Sequence, residues 1–450
     1  MRVVILGAGP AGLAAASVLV EGGARVTLLE ARPRVGGLAG SERVGDHLAD
    51  LGPHRLHTEA NAEARRLLGG ADGLTERPRR GAIHLSGRAV RYPLRPWALL
   101  RDAGPTQVAR FALGALGARL RAPAGDDFAA ETRRRVGDAI FRALYGPAAR
   151  KVWGLAPEAL HGDQARARVG ASGPAALARR VFGRGGEPGC YLYPAAGSNQ
   201  AAYDAWRDRL SGAGVDLRLG TRADAVCCAL GRVLAVRAGD EAMPADRVIS
   251  TLPLTALFEA LQPTLGAPPA LRTRVVVLLH LVIGRPRLSD RDVHYFPSED
   301  VPFARIAEQR AFGGDADAPT DETVLTLDFY DWPGGPRVRA TPEALLDAAW
   351  PTLVGLGLAR AEVRRIAKTV AQDAYPVLDR GYRVARDEAL DRLAGVDGLC
   401  STGRGGLFLH VNQHHAIAMG AAAARATLRG DSGASWRAEA RAFESFRIVD

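Results

Sequence analysis

Two short apolar runs, residues 3–6 and 26–29, stand on either side of a segment from Pro10 to about Glu21. Short apolar runs bounded by glycine read as buried strands, and the segment between them reads as a helix. The pattern therefore predicts strand, helix, strand within the first thirty residues. A short helix is expected over 59–68. Alternation at 82–85 and 89–91 around Ser86-Gly87 predicts a hairpin. Helical segments dominate from about 106 to 180, with an amphipathic helix over 128–145 and a loop at the Pro/Gly/Ser-rich stretch 170–174. A punctuated region at 191–199 precedes a helix over 200–210 and strands over 215–219, 223–229, 233–238 and 247–250. Residues 275–283 are almost continuously apolar and read as a buried strand, with His280 as a hydrogen-bonded core residue. A strand over 323–330, a helix over 342–358, a strand over 362–367 and an apolar helix over 416–428 complete the series. Two N-terminal strands are too few for a sheet, so later strands must return to them and the domains are discontinuous.

Glycine spacing gives this pattern a chemical meaning. Gly7, Gly9 and Gly12 form G-x-G-x-x-G directly after the first run. Gly7 permits a tight turn, Gly9 lets backbone approach a pyrophosphate, and Gly12 lets the helix sit close to the strand. The helix that opens at Pro10 offers N–H groups from Ala11 onward, and a positive dipole end, to phosphate. Glu30 ends the second run 18 residues after Gly12, where it can accept hydrogen bonds from ribose hydroxyls. Together these predict an adenine dinucleotide.

Glu30 is followed by Ala31-Arg32-Pro33-Arg34-Val35-Gly36-Gly37-Leu38. An arginine ahead of a Gly-Gly pair can lay a guanidinium and backbone N–H groups beside phosphates. Asp50-Leu51-Gly52-Pro53-His54 then gives a further tight turn. In this order, residues 7–54 resemble the N-terminus of the FAD-dependent amine oxidase and protoporphyrinogen oxidase-like superfamily, which includes UDP-galactopyranose mutase and the carotenoid desaturases. The resemblance implies FAD as cofactor. It also implies an α/β fold, with a doubly wound, Rossmann-type FAD domain (1–75, 191–255 and 390–430) and a discontinuous mixed-sheet and helical substrate domain (76–190 and 256–389). Implied FAD contacts are Gly7, Gly9, Pro10, Ala11, Gly12, Glu30, Ala31, Arg34, Gly36, Gly37, Leu38, Gly52, Pro53, His54, Ala225 and Val226.

A second glycine turn, Thr402-Gly403-Arg404-Gly405-Gly406, again lies between an apolar run and a helix. In the resembled superfamily this segment lies beside the flavin pyrimidine and ribityl chain, which implies contacts from Gly403, Arg404, Gly405 and Asn412. A cation there stabilises anionic reduced flavin. Residues 50–57, 145–154, 303–308, 374–377 and 403–412 also follow the superfamily's pattern. The chain departs from it after Arg404. His410 and His414 replace elements of an aromatic–x–Asn–x–Asp segment, and the tyrosine cage and C-terminal signature of amine oxidases are not evident. Amine oxidation is therefore not the expected reaction.

His54, His57, His410, His414 and His415 are expected to converge on the flavin, with His54 and His410 as catalytic candidates relaying protons. Arg305 and Tyr375 are the substrate-contact candidates. Arg305 and Glu308 either line the cavity or form a mutual or solvated ion pair. No metal site is expected.

Composition narrows the class. At 450 residues, 47% hydrophobic and 24% charged, the chain suits two or three globular domains. A net charge of +10 comes almost wholly from scattered arginine, which argues against nucleic acid as a partner. Four cysteines without metal spacing suit a reducing cytoplasm. Residues 96–121 combine apolar positions with arginines; packing within the substrate domain is favoured over peripheral membrane contact. The expected enzyme is an FAD-dependent oxidoreductase taking hydride from a C–H bond of a cyclic, polyenic or porphyrinogen-like metabolite, with O2 or another electron acceptor. The alternative is a non-redox sugar mutase like UDP-galactopyranose mutase.

Overall fold

A computed structural model of the chain describes every residue except 59, 71–72, 94–95, 121–124, 170–188, 196, 314–318 and 449–450. Five parallel strands form the first sheet, in the order Asp216–Leu219, Arg25–Glu30, Arg2–Leu6, Arg247–Ser250 and Leu399–Ser401. Its inner strands are short Val, Ile and Leu runs because helices cover both faces of a parallel sheet. Helix Pro10–Glu21 follows the first strand, and helices Asn199–Gly212 and Gln413–Arg429 pack against it. Trp206 Nε1 donates to Ser17 Oγ at 2.9 Å, joining two of these helices inside the core.

Seven strands form the second sheet, ordered Val363–Pro376, Thr273–Ile283, Thr323–Asp331, Arg305–Glu308, Val293–Tyr295, Gly81–Leu85 and Arg88–Tyr92. Its pairs are antiparallel except that between Val293–Tyr295 and Gly81–Leu85. The uninterrupted apolar run in its second strand, Thr273–Ile283, has a two-sided cause. Val275, Val277, Leu279, Leu281 and Ile283 pack with Leu345, Leu346, Ala349 and Leu353 of helix Pro342–Gly355. Val276 and Leu278, on the other face, pack with Leu51 of the Asp50 turn. His280 is buried, with Nδ1 3.0 Å from Thr326 Oγ1 and Nε2 3.2 Å from Thr369 Oγ1, as its apolar surroundings require.

Several expected elements differ. The helix expected over 128–145 is broken at Gly137, where φ is +85°: Phe128–Val136 is one helix, and helical structure resumes over Asp138–Ile140 and Phe141–Tyr145 in a new direction. A Cβ there would lie 2.5 Å from the Gly114 carbonyl carbon, so helix Pro105–Leu120 crosses where the expected helix would continue. Strands Ala225–Ala229, Arg232–Ala238 and Glu241–Pro244 form a separate antiparallel sheet. The strand expected over 362–367 runs on to Pro376. Strand Cys190–Pro194 and helix Tyr382–Ala394 were not expected. The loop expected at 170–174 lies outside the described residues. In helix Pro105–Leu120, Phe111 is buried but Leu113 and Leu116 are 69% and 54% exposed. Among the described residues, no helix is long and apolar enough to cross a membrane.

One of the two closest backbone approaches in the first core involves Gly420. A Cβ at this position would lie 1.9 Å from the carbonyl oxygen of Ala11. Backbone cannot retreat cheaply in a packed core, so Gly420→Ala should fall at the upper end of the ~1–3 kcal/mol cost of overpacking. The expected outcome is a lower denaturation midpoint together with loss of bound flavin on gel filtration. Unchanged values for both would contradict this packing.

Candidate active site

The first glycine turn is built by exclusion of side chains. Gly7 has φ +97°, and its amide donates to Leu29 O at 2.8 Å. A Cβ on Gly12 would sit 1.9 Å from Gly7 O. A Cβ on Gly9, by contrast, would meet nothing nearer than Gly37 Cα at 3.8 Å. Gly36 closes onto this turn, its N–H donating to Ala8 O at 2.9 Å, and Gly37 follows at φ +53°. Pro10 and Ala11 open a helix that no side chain caps. These are the features a diphosphate requires: bare backbone, helix N–H groups and a positive dipole end. Glu30 is buried, its Oε2 accepting from Ala8 N at 2.8 Å and Oε1 from Arg32 N at 2.9 Å. A carboxylate has about four acceptor positions, so Glu30 retains capacity for ribose hydroxyls.

The other candidates nearby occupy three segments. Ala31 follows Glu30, and Arg34 is ion-paired with Glu42. Leu38 sits in the helical turn Gly37–Ala39 and packs beside Leu51. Ala225 and Val226 begin a strand just after Thr221, whose N–H donates to Glu30 O at 2.9 Å. Val226 belongs to the core around the parallel sheet.

The C-terminal glycine turn lies against the same helix start. Gly403 has φ +80°, and a Cβ there would be 3.2 Å from Ala11 Cβ. A Cβ on Gly405 would be 3.1 Å from Pro253 Cα. Arg404 is fixed by backbone, donating from Nη1 to Ala374 O at 3.1 Å and from Nη2 to Val411 O at 2.6 Å. Asn412 precedes helix Gln413–Arg429 and donates its N–H to His415 Nδ1 at 3.3 Å.

The third turn hangs on a buried carboxylate. Asp50 accepts from Ser41 Oγ at 2.5 Å, Tyr193 Oη at 2.6 Å and Asn199 Nδ2 at 2.7 Å. Burial raises its pKa despite these bonds, which act in the opposite direction. Asn199 Nδ2 also donates to His54 O at 2.9 Å. Gly52, at φ +111°, leaves room for Arg305, whose Nη2 would lie 2.8 Å from a Cβ there. Pro53, His54, Arg305, Arg404, Asn412 and Gln413 line one cavity with Tyr295. The structure thus brings together candidates from three distant stretches of chain.

Charge and aromatic rings set the character of this cavity and its surroundings. Arg305 is ion-paired with Asp328, its register partner on the neighbouring strand. Glu308, three residues along the strand, instead accepts from Arg287 Nε at 2.8 Å, so no mutual Arg305–Glu308 pair forms. Tyr375 has Arg168 and Arg404 guanidinium carbons 5.0 and 5.5 Å from its ring centroid. Burial pushes its hydroxyl pKa up, but Arg305, Arg168 and Arg404 outweigh this and lower it. Trp153 meets Tyr375 edge-on at 5.7 Å, and Tyr330 lies 5.9 Å from Tyr375. His54 Nε2 donates to Leu51 O at 3.1 Å, and burial, then Arg404 and Arg305, push its pKa down to about 3. His410 pairs through Nε2 with Gln164 Oε1 at 3.0 Å, and burial carries its pKa well below the usual range. Both rings are neutral at pH 7.

Sequence reasoning missed Arg168, Gln164, Tyr330 and Asp328. Arg168 and Gln164 come from helix Gly162–Arg168, four residues apart and so on one face. That helix is held at its start by Tyr382 and Arg383 on Asp163, and near its end by Ile448 N on Ala167 O at 2.9 Å. The five histidines do not converge as expected. His414 and His415 line a different cavity, which shares only His57 with the first.

A parallel sheet with two glycine turns back to back at one helix start defines a dinucleotide-binding α/β protein. The chain belongs to the flavin containing amine oxidoreductase family, which matches residues 10–428, and FAD is its cofactor. A stretch of 58 residues is 57% identical to L-amino-acid oxidase of Crotalus adamanteus, covering 13% of this chain and only 11% of that protein. Over 100% of both chains the structure resembles reduced UDP-galactopyranose mutase, with TM-score 0.81 and 19% identity. A putative protoporphyrinogen oxidase from Exiguobacterium sp. 255-15 follows at TM-score 0.72 and 17% identity, covering 95% of this chain and 98% of that one. Putrescine oxidase bound to putrescine gives TM-score 0.60 and 16% identity over 95% and 99%. At these identities the structural likeness is one of fold.

The histidines also set an acid limit. Burial lowers the pKa of seven of them, to about 3 for His54 and His414 and about 4 for His280, His294 and His415. Between those values and the ordinary ~6.5, the unfolded chain binds more protons than the folded one, so stability falls as pH falls. The thermal midpoint of the holoprotein should therefore drop steadily from pH 7 to pH 5. A midpoint that stayed level or rose across that window would mean that these rings are charged in the fold.

Proposed function

We propose that the chain is an FAD-dependent oxidoreductase that removes hydride from a C–H bond of a small anionic organic molecule. The observation that carries this reading is the set of three guanidinium groups, Arg168, Arg305 and Arg404, around Tyr375 beside the glycine turns. In this reading Gly7, Gly9, Gly12, Gly36 and Gly37 hold the FAD diphosphate, Glu30 the ribose, and Gly403, Arg404, Gly405 and Asn412 the flavin end. The two-domain division accompanies it. The parallel sheet draws its strands from 1–75, 191–255 and 390–430, and the seven-stranded sheet draws its strands from 76–190 and 256–389.

Bound FAD supplies the hydride acceptor. The chain's own groups bind and orient. Arg168 and Arg305 take the substrate's anionic group, while Trp153, Tyr330 and Tyr375 provide an aromatic wall. His54 and His410 are neutral and weakly basic, so they serve as hydrogen-bonding groups, and the coupled proton leaves to solvent. A carboxylated cyclic or porphyrinogen-like metabolite has the charge and ring surface this lining suits.

A second reading, non-redox isomerisation, draws support from the full-length likeness to UDP-galactopyranose mutase. Anaerobic mixing separates the two. Oxidation predicts bleaching of the flavin by substrate, whereas isomerisation predicts turnover only after prior reduction.

Arg168 is the cleaner position for mutagenesis, because removing Arg305 would also strand Asp328 as an unpaired buried charge. Arg168 Nε is buried without a hydrogen-bond partner among the described residues. Losing a charge-assisted bond costs roughly 1.5–3 kcal/mol. Arg168→Ala should therefore raise KM for an anionic substrate roughly ten- to a hundredfold, with flavin content unchanged. An unaltered KM would remove the anion-binding role.

A further inference from the structure

A second cavity, of about 360 Å3, adjoins the first through His57 and is lined by Asn61, His414, His415, Ser445, Phe446 and Arg447. We propose that it binds a phosphate group, either free or as a small phosphomonoester, separately from FAD and from the substrate cavity. Three elements bring hydrogen-bond donors to it.

Helix Gln413–Arg429 contributes His414 and His415 from its first turn, and Asn61 is the N-cap of helix Ala62–Gly69. Two helix starts therefore meet at one cavity, each adding the positive end of its dipole. The donor set is legible atom by atom. Asn61 Oδ1 is used, accepting from Ala64 N at 2.8 Å, which leaves its NH2 to donate. His415 Nδ1 accepts from Asn412 N, so the neutral ring carries its proton on Nε2. His414 Nδ1 is buried and has no hydrogen-bond partner among the described residues.

The C-terminal segment adds the full charge. Arg447 is exposed, and its Nη1 bonds only to the carbonyl oxygens of Glu444 and Phe446, at 3.2 and 3.0 Å. It forms no ion pair among the described residues. No aspartate or glutamate lines the cavity. The nearest helix-start acid, Glu63, is taken by Arg425 at 2.8 and 3.2 Å. Phe446 stacks on His415 at 4.3 Å and fixes the segment over the opening. No three His, Cys, Asp or Glu groups among the described residues are placed to hold a metal ion, so the imidazoles read as donors to an anion. A monovalent carboxylate would leave several of these donors idle, whereas a phosphoryl group has three oxygens to occupy them.

The test uses the FAD-loaded protein, so that the cofactor's own phosphate cradle is filled. Calorimetry with inorganic phosphate and with phenyl phosphate, at constant ionic strength and with chloride as control, should show one saturable site. Equal affinity for both probes would assign it to phosphate alone, and tighter binding of phenyl phosphate to a phosphomonoester. Arg447→Ala should weaken either at least tenfold without changing flavin content. Imidazole NMR signals should shift on phosphate addition in the wild type and not in the variant. No saturable binding beyond chloride, or full binding by Arg447→Ala, would overturn the proposal.

Discussion

Ala11 is the point on which the two halves of the cofactor cradle depend. It lies in the first turn of the first helix; a Cβ on Gly403 would lie 3.2 Å from its Cβ, and Gly420 approaches its backbone so closely that a side chain is excluded. The first contact sets the C-terminal glycine turn beside the N-terminal one. The second lays helix Gln413–Arg429 directly across helix Pro10–Glu21. Segments four hundred residues apart in sequence are thereby held at backbone contact, with hydrophobic burial on both sides to maintain them. Relaxing this approach would separate the two glycine turns proposed to hold the two ends of the cofactor.

Asp50 plays the corresponding part between the sheets. Its carboxylate ties the turn carrying Gly52 and His54 to Ser41, Tyr193 and Asn199, while Gln309 Oε1 accepts from its N–H at 3.1 Å. Leu51, the next residue, packs on strand Thr273–Ile283 of the seven-stranded sheet. A polar residue and an apolar one, adjacent in the chain, thus fix one turn against both halves. Three donors counter the unfavourable burial of the carboxylate, though burial remains the larger effect.

The cofactor half was largely legible in the sequence, because its signals are local. Glycine positions, strand length and the acid at residue 30 all lie within one supersecondary unit. The continuous apolar run at 275–283 was also readable, though not the reason for it, which lies in Leu51 on one side and helix Pro342–Gly355 on the other. The arginine and aromatic cluster around Tyr375 was harder to find. Arg168 is one arginine among many, and nothing in its neighbourhood separates it from surface arginines; only the fold places it on Tyr375 and Trp153. The break at Gly137 was hidden for the same reason, since its cause is a crossing helix. The five histidines are split because His414 and His415, in the first turn of helix Gln413–Arg429, line a neighbouring cavity that shares only His57 with the one His54 and Arg404 line.

Helix Gly162–Arg168 has a consequence of its own. It bears two side chains that reach the aromatic cluster, yet one of its tethers is the main chain of Ile448, far along the polypeptide. The placement of Arg168 beside Tyr375 is thereby tied to a main-chain contact made by a residue 280 positions further on. A change that loosens Ile448 would shift this guanidinium without altering any ring of the cluster.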